Sequence, residues 1–81
     1  MKILMTRAAV RDYKGLTPRI RKSVAKQLDL LVGNLNHPSL KAKKYDEAND
    51  VWQARVTRSY RFHFKIEGDT YAILRIMEHP K

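Results

Sequence analysis

From Tyr60 to Glu67 apolar and polar residues alternate without a break. Tyr60, Phe62, Phe64 and Ile66 fall on one side, and Arg61, His63, Lys65 and Glu67 on the other. That is the two-residue period of a half-buried strand. Similar patterns predict strands over residues 51–57 and 70–78, with Gly68-Asp69 marking the turn between the last two. Residues 2–6 and 41–45 read as shorter strands, and 46–50 as a turn. A different period appears upstream. Ile20, Val24, Leu28, Leu31 and Leu35 recur at steps of three and four, the apolar stripe of an amphipathic helix. Thr17-Pro18 supplies a capping hydroxyl and a proline at the first helical position, and Gly33-Asn34 followed by His37-Pro38 ends the helix. A shorter helix over residues 8–14, capped by Thr6, ends at Gly15.

The resulting order is β-α-α-β-β-β-β, an α+β domain spanning residues 1–81. Short turns join the last four strands into an antiparallel sheet, and the helical pair covers its apolar face. The opposite face stays polar and open. Apolar matching then sets the register, because a one-residue slip exchanges the faces of a strand. A loop of residues 57–59 pairs Ala54 with Phe62, Trp52 with Phe64, Arg55 with Arg61 and Gln53 with His63. For the last hairpin, a three-residue loop of residues 68–70 pairs Phe64 with Leu74, Phe62 with Ile76 and His63 with Arg75. It sets Ala72, Leu74 and Ile76 on one face. A two-residue loop would mix the faces, putting Phe62 opposite Arg75.

This register gathers Arg55, Arg61, His63, Lys65, Arg75 and His79 on the open face. Like charges directly opposite one another destabilise a sheet, so the arrangement points to an anionic partner. The chain carries 17 Lys and Arg against 8 Asp and Glu, a net charge of +9, and nucleic acid is the first candidate. A phosphate bridging Arg55 and Arg61 would convert repulsion into charge-assisted hydrogen bonds.

Other classes are excluded or disfavoured by what the sequence lacks. It has no cysteine, hence no disulfide scaffold and no thiolate metal site, which fits a reducing cytoplasm. No apolar run approaches the ~18 residues of a membrane span, so a soluble cytoplasmic protein is expected. His37, His63 and His79 are scattered without carboxylates at ligand spacing, so no metal site and no cofactor are expected.

Several short segments, taken in order, resemble the RelE/ParE superfamily of bacterial type II toxins. They are Leu35-Asn36-His37-Pro38, Lys41-Ala42-Lys43-Lys44-Tyr45, Trp52-Gln53-Ala54-Arg55-Val56 and Tyr60-Arg61-Phe62-His63-Phe64, with a last strand running into His79. The RelE-like branch implies a metal-independent endoribonuclease that cuts mRNA, often on the ribosome, and stops translation. The ParE-like branch implies a poison of DNA gyrase. Both imply a cognate antitoxin that wraps the toxin. The resemblance assigns catalysis to Arg61 and His79, with Arg55 beside them. Lys43 and Lys44 match the family's lysines, and His63, Lys65 and Arg75 share the face as further phosphate contacts. Some members carry a tyrosine beside or after the histidine; here the sequence reads His79-Pro80-Lys81 and has none. A catalytically silent remnant that still binds its antitoxin is the third reading.

RNA cleavage without metal needs a base for the 2′-hydroxyl proton, cations for the phosphate oxygens, and an acid for the leaving 5′-oxygen. Arg55 and Arg61 suit the cationic role. His79 is the titrating group for proton transfer, as base or as acid, with His63 as the alternative on the same face. Glu78, on the core side, and Glu47, in a turn, are the carboxylates that could act as base.

Overall fold

The computed structural model describes residues 1–79. Pro80 and Lys81, which follow the histidine where some members of the resembled superfamily carry a tyrosine, lie outside the described residues. The elements are β1 (Lys2–Met5), α1 (Arg7–Lys14), α2 (Pro18–Gly33), β2 (Lys43–Asp46), β3 (Val51–Arg55), β4 (Tyr60–Glu67) and β5 (Thr70–Glu78). Both helices carry the threonine caps that the sequence predicts, with α1 starting one residue earlier than expected, at Arg7. Thr6 Oγ1 accepts from Ala9 N–H and Thr17 Oγ1 from Ile20 N–H, each satisfying a donor that the first helical turn leaves free.

The five strands form one sheet in the order β1-β5-β4-β3-β2. The expected antiparallel sheet is corrected in one respect: β1 runs parallel to β5, Lys2 opposite Thr70 through Met5 opposite Ile73. A strand that leaves directly into two helices has no turn tying it to an antiparallel neighbour, and the helical crossover permits parallel pairing. The stripe of α2 packs on the sheet through Val24 and Leu31. Phe62, Phe64, Leu40 and Ile73 complete the fully buried centre. Phe64 lies at its middle, with ring centroids 5.6 Å from Phe62, 5.6 Å from Tyr71 and 6.1 Å from Trp52. No helix among the described residues is long and apolar enough to cross a membrane.

The β3–β4 hairpin has the expected register, including Arg55 opposite Arg61 and Gln53 opposite His63. The β4–β5 hairpin does not. Its loop is the two residues Gly68-Asp69, with Glu67 opposite Thr70 and Phe64 opposite Ile73 rather than Leu74. Gly68 has φ +61° and Asp69 is not left-handed, the backbone of a turn that favours glycine first. Leu74 is then an extra residue, a bulge, after which His63 meets Arg75 and Phe62 meets Ile76. Tyr71, Ile73 and Ile76 all reach the core, while Leu74 does not pair. The bulge reconciles the turn chemistry at one end of the strand with the apolar match at the other.

Helix α1 holds that bulge. Thr6 N–H donates to Ile73 O (3.0 Å) and Thr6 Oγ1 to Leu74 O (2.9 Å). Asp12 Oδ2 accepts from Ile76 N–H (2.9 Å) and from Arg75 Nε (2.8 Å). Where β1 stops pairing, side chains of α1 and its cap take over the edge of β5, so buried backbone groups keep partners.

Candidate functional site

A cleft of about 160 Å³ opens on the face away from the helices, at the end where β3 and β4 turn. Lys41, Lys43, Arg55, Arg61 and His79 line it, with Gln53 alongside. Among the described residues, no carboxylate lines it. A concentration of cations without counter-charge raises the local potential for an anion.

Each cation is set in place by a different device. Arg55 ends β3, and its backbone is held on both sides. Its N–H donates to Leu40 O (2.7 Å), and its carbonyl accepts from Gln27 Nε2 (2.8 Å). Gln27 lies on the buried stripe of α2, 4% exposed, and also reaches Ser39 O (3.2 Å). Arg61 folds back over the β3–β4 loop, where its Nη1 donates to Thr57 O (2.6 Å), Tyr60 O (2.9 Å) and Arg58 O (3.4 Å). Burial, and then the Arg55 charge across the strand pair, pull Arg61 below the usual guanidinium pKa. The same loop anchors the histidine: His79 N–H donates to Ser59 O (2.6 Å). Lys41 enters the cleft from a left-handed backbone, φ +46°, a conformation that costs ~1–2 kcal/mol in a non-glycine residue.

The predicted residues therefore divide. Arg55, Arg61, His79 and Lys43 come together in the cleft. Lys44 faces the other way: its Nζ lies 5.4 Å from the Trp52 ring centroid and 2.8 Å from Asp50 Oδ1. Adjacent lysines on a strand point to opposite faces, so only one of the two reaches the site. Arg75 is on the open side, but its charge is engaged by Asp12. Lys65 is close to two carboxylates. Asp46 is lowered first by its Asn49 hydrogen bonds and Asp50 first by Lys44, and Lys65 adds to both. His63 hydrogen-bonds Gln53 Oε1 (3.2 Å) outside the cleft lining, and burial pushes its imidazole below the ordinary pKa. Glu78 and Glu47 do not line the cleft. Among the described residues, no three His, Asp or Glu side chains are grouped as metal ligands.

Sequence reasoning missed Lys41, Gln53, Gln27 and Tyr45. The sequence pairs Gln53 with His63 but gives it no role of its own. Gln27 was legible as a polar residue three after Val24 and four before Leu31, inside the apolar stripe. Tyr45 required the structure: β2 has a register shift between Lys44 and Asp46, and the ring stacks on His63 with centroids 4.3 Å apart.

Comparison with known proteins agrees with this architecture. The chain resembles the YoeB/ParE toxin from Agrobacterium tumefaciens at a TM-score of 0.82 and 16% identity, covering 99% of this chain and 100% of that one. The YoeB dimer from Staphylococcus aureus gives 0.82 and 16%, over 99% and 98%. The RelE of the RelB-RelE antitoxin-toxin complex from Methanococcus jannaschii gives 0.76 and 23%, over 93% and 88%. These likenesses establish the fold. No curated protein matches the sequence significantly. The family described as "ParE toxin of type II toxin-antitoxin system, parDE" matches residues 3–80, nearly the whole length. The chain therefore belongs to the ParE toxin family, within the RelE/ParE superfamily of type II toxins.

Proposed function

We propose that this toxin is a metal-independent endoribonuclease that cleaves mRNA and thereby stops translation. The observation that carries the reading is the cleft in which Arg55, Arg61, Lys41, Lys43 and His79 converge, with no carboxylate among its described lining residues. A scissile phosphate seated there would receive forked hydrogen bonds from the guanidinium groups of Arg55 and Arg61. Cleavage forms a bond between the 2′-oxygen and phosphorus and breaks the bond to the 5′-oxygen. The 2′-hydroxyl proton goes to a base, and the leaving 5′-oxygen takes a proton from an acid. His79 carries one of these transfers and solvent entering the open cleft carries the other. Arg61 and Arg55 stabilise the charge gathering on the phosphate oxygens.

The partners follow from the same reading. A cognate antitoxin would hold the protein inactive, as supported by the structural relative solved with RelB. The site of action would be cytoplasmic mRNA, free or on the ribosome. A second reading is favoured by a specific observation, the match to ParE toxins: a gyrase-directed poison without chemistry of its own.

Induced expression followed by mapping of mRNA 5′ ends separates them. The nuclease reading expects new transcript ends that vanish in Arg61→Ala and His79→Ala. Growth arrest with intact transcripts and a DNA-damage response would sink it in favour of the gyrase reading. Unaffected growth would leave a remnant that binds its antitoxin.

A further inference from the structure

Tyr45 is a large aromatic side chain that is 62% exposed, on the open face and outside the core. Its ring is not loose. It lies against His63 at 4.3 Å and 35°, and His63 is in turn fixed by Gln53, which borders the cleft. The register shift between Lys44 and Asp46 frees Tyr45 from strand pairing at this point. One side of the ring is covered by imidazole; the exposure leaves the rest open. Tyr45 lies two residues beyond Lys43 along β2, so a chain with its phosphate in the cleft crosses the ring within a few nucleotides.

We infer that Tyr45, backed by His63, is a stacking platform for an unpaired nucleobase, so that this face binds single-stranded RNA more tightly than duplex. The inference rests on the phosphate reading of the cleft and adds a base subsite to it. Every base has a π-face, so such a platform adds affinity with little sequence preference. In a duplex the bases are stacked on each other and cannot reach it. Burial of His63 favours the neutral imidazole, so the platform acts through its rings and the cleft supplies the charge.

The test is a fluorescence-anisotropy titration with a short 2′-O-methyl oligoribonucleotide, which cannot be cleaved, its abasic counterpart with the same phosphates, and the same oligonucleotide in a duplex. Tyr45→Ala should weaken binding of the single strand about tenfold or more and leave the abasic strand and the duplex unchanged. Tyr45→Phe should bind like the parent. Lys43→Ala should weaken all three ligands and flatten the salt dependence. Circular dichroism checks that the variants fold. Equal affinity of Tyr45→Ala and parent for the single strand, or an equal loss on the abasic strand, would overturn the platform while leaving the cleft reading intact. Failure of the parent to bind any of the three would overturn both.

Discussion

Gln27 reaches from the buried stripe of α2 to the carbonyl of Arg55, 2.8 Å away, and so connects the core to the cleft. The contact satisfies a carbonyl at the end of β3 and ties it to Ser39, which Gln27 also contacts. Replacing Gln27 with leucine keeps the side chain's size but leaves two carbonyls without their donor. We expect a loss of about 1–3 kcal/mol by chemical denaturation, with a further loss of RNA binding beyond the fraction unfolded. An unaltered affinity per folded molecule would show that Gln27 serves stability alone.

Arg55 opposite Arg61 predicts that function and stability are opposed at this pair. Arg55→Gln removes a like-charge contact, so the folded state should be unchanged or more stable by up to ~1 kcal/mol. Oligonucleotide affinity should fall at the same time. The stability gain should shrink in high salt, which screens the repulsion. Urea melts at two ionic strengths measure it.

The carboxylate of Asp12 has the opposite character. The Arg75 hydrogen bond, and then the Ile76 N–H, hold its pKa below the ordinary 3.8. A depressed carboxyl contributes stability that is fully present above the unfolded value and drains away as pH falls through the folded one. Thermal melts of the parent should therefore lose stability below about pH 4 through this group. Asp12→Ala should remove that component and cost roughly 1–3 kcal/mol at neutral pH, because the Ile76 N–H loses its acceptor.

His63 should titrate below the ordinary 6.5, since burial disfavours its imidazolium. The unfolded chain then takes up this proton first, so stability contributed by neutral His63 is present above that value and lost as pH falls through the folded pKa. Histidine proton shifts followed by NMR across the acid range measure it. Tyr45→Ala exposes the ring and should move the titration back towards the ordinary value.

Much of the fold was legible because its signals are local. The alternation of residues 60–67, the stripe of α2 and the two threonine caps each act within a few residues of chain. The β3–β4 register followed for the same reason: the apolar set Trp52, Ala54, Phe62 and Phe64 has one coherent pairing. At the β4–β5 hairpin two local signals disagreed. Gly68-Asp69 favoured a two-residue loop, and the apolar residues beyond it favoured a different register. The protein keeps both by inserting Leu74 as a bulge, held by Thr6 and Asp12. Those residues lie more than sixty positions away, beyond the reach of any local pattern.

A basic sheet face with Arg55 opposite Arg61 is written into the chain itself, because strand period and apolar matching act between neighbours on one hairpin. Which of those cations remain available depends on contacts between distant segments. Asp12 arrives from α1 to engage Arg75, the alternation of β2 turns Lys44 towards Trp52 and Asp50, and the β3–β4 loop holds Arg61 and the backbone of His79 together. Charge is a property of composition, but its availability depends on which carboxylates and carbonyls the fold brings within a few ångströms.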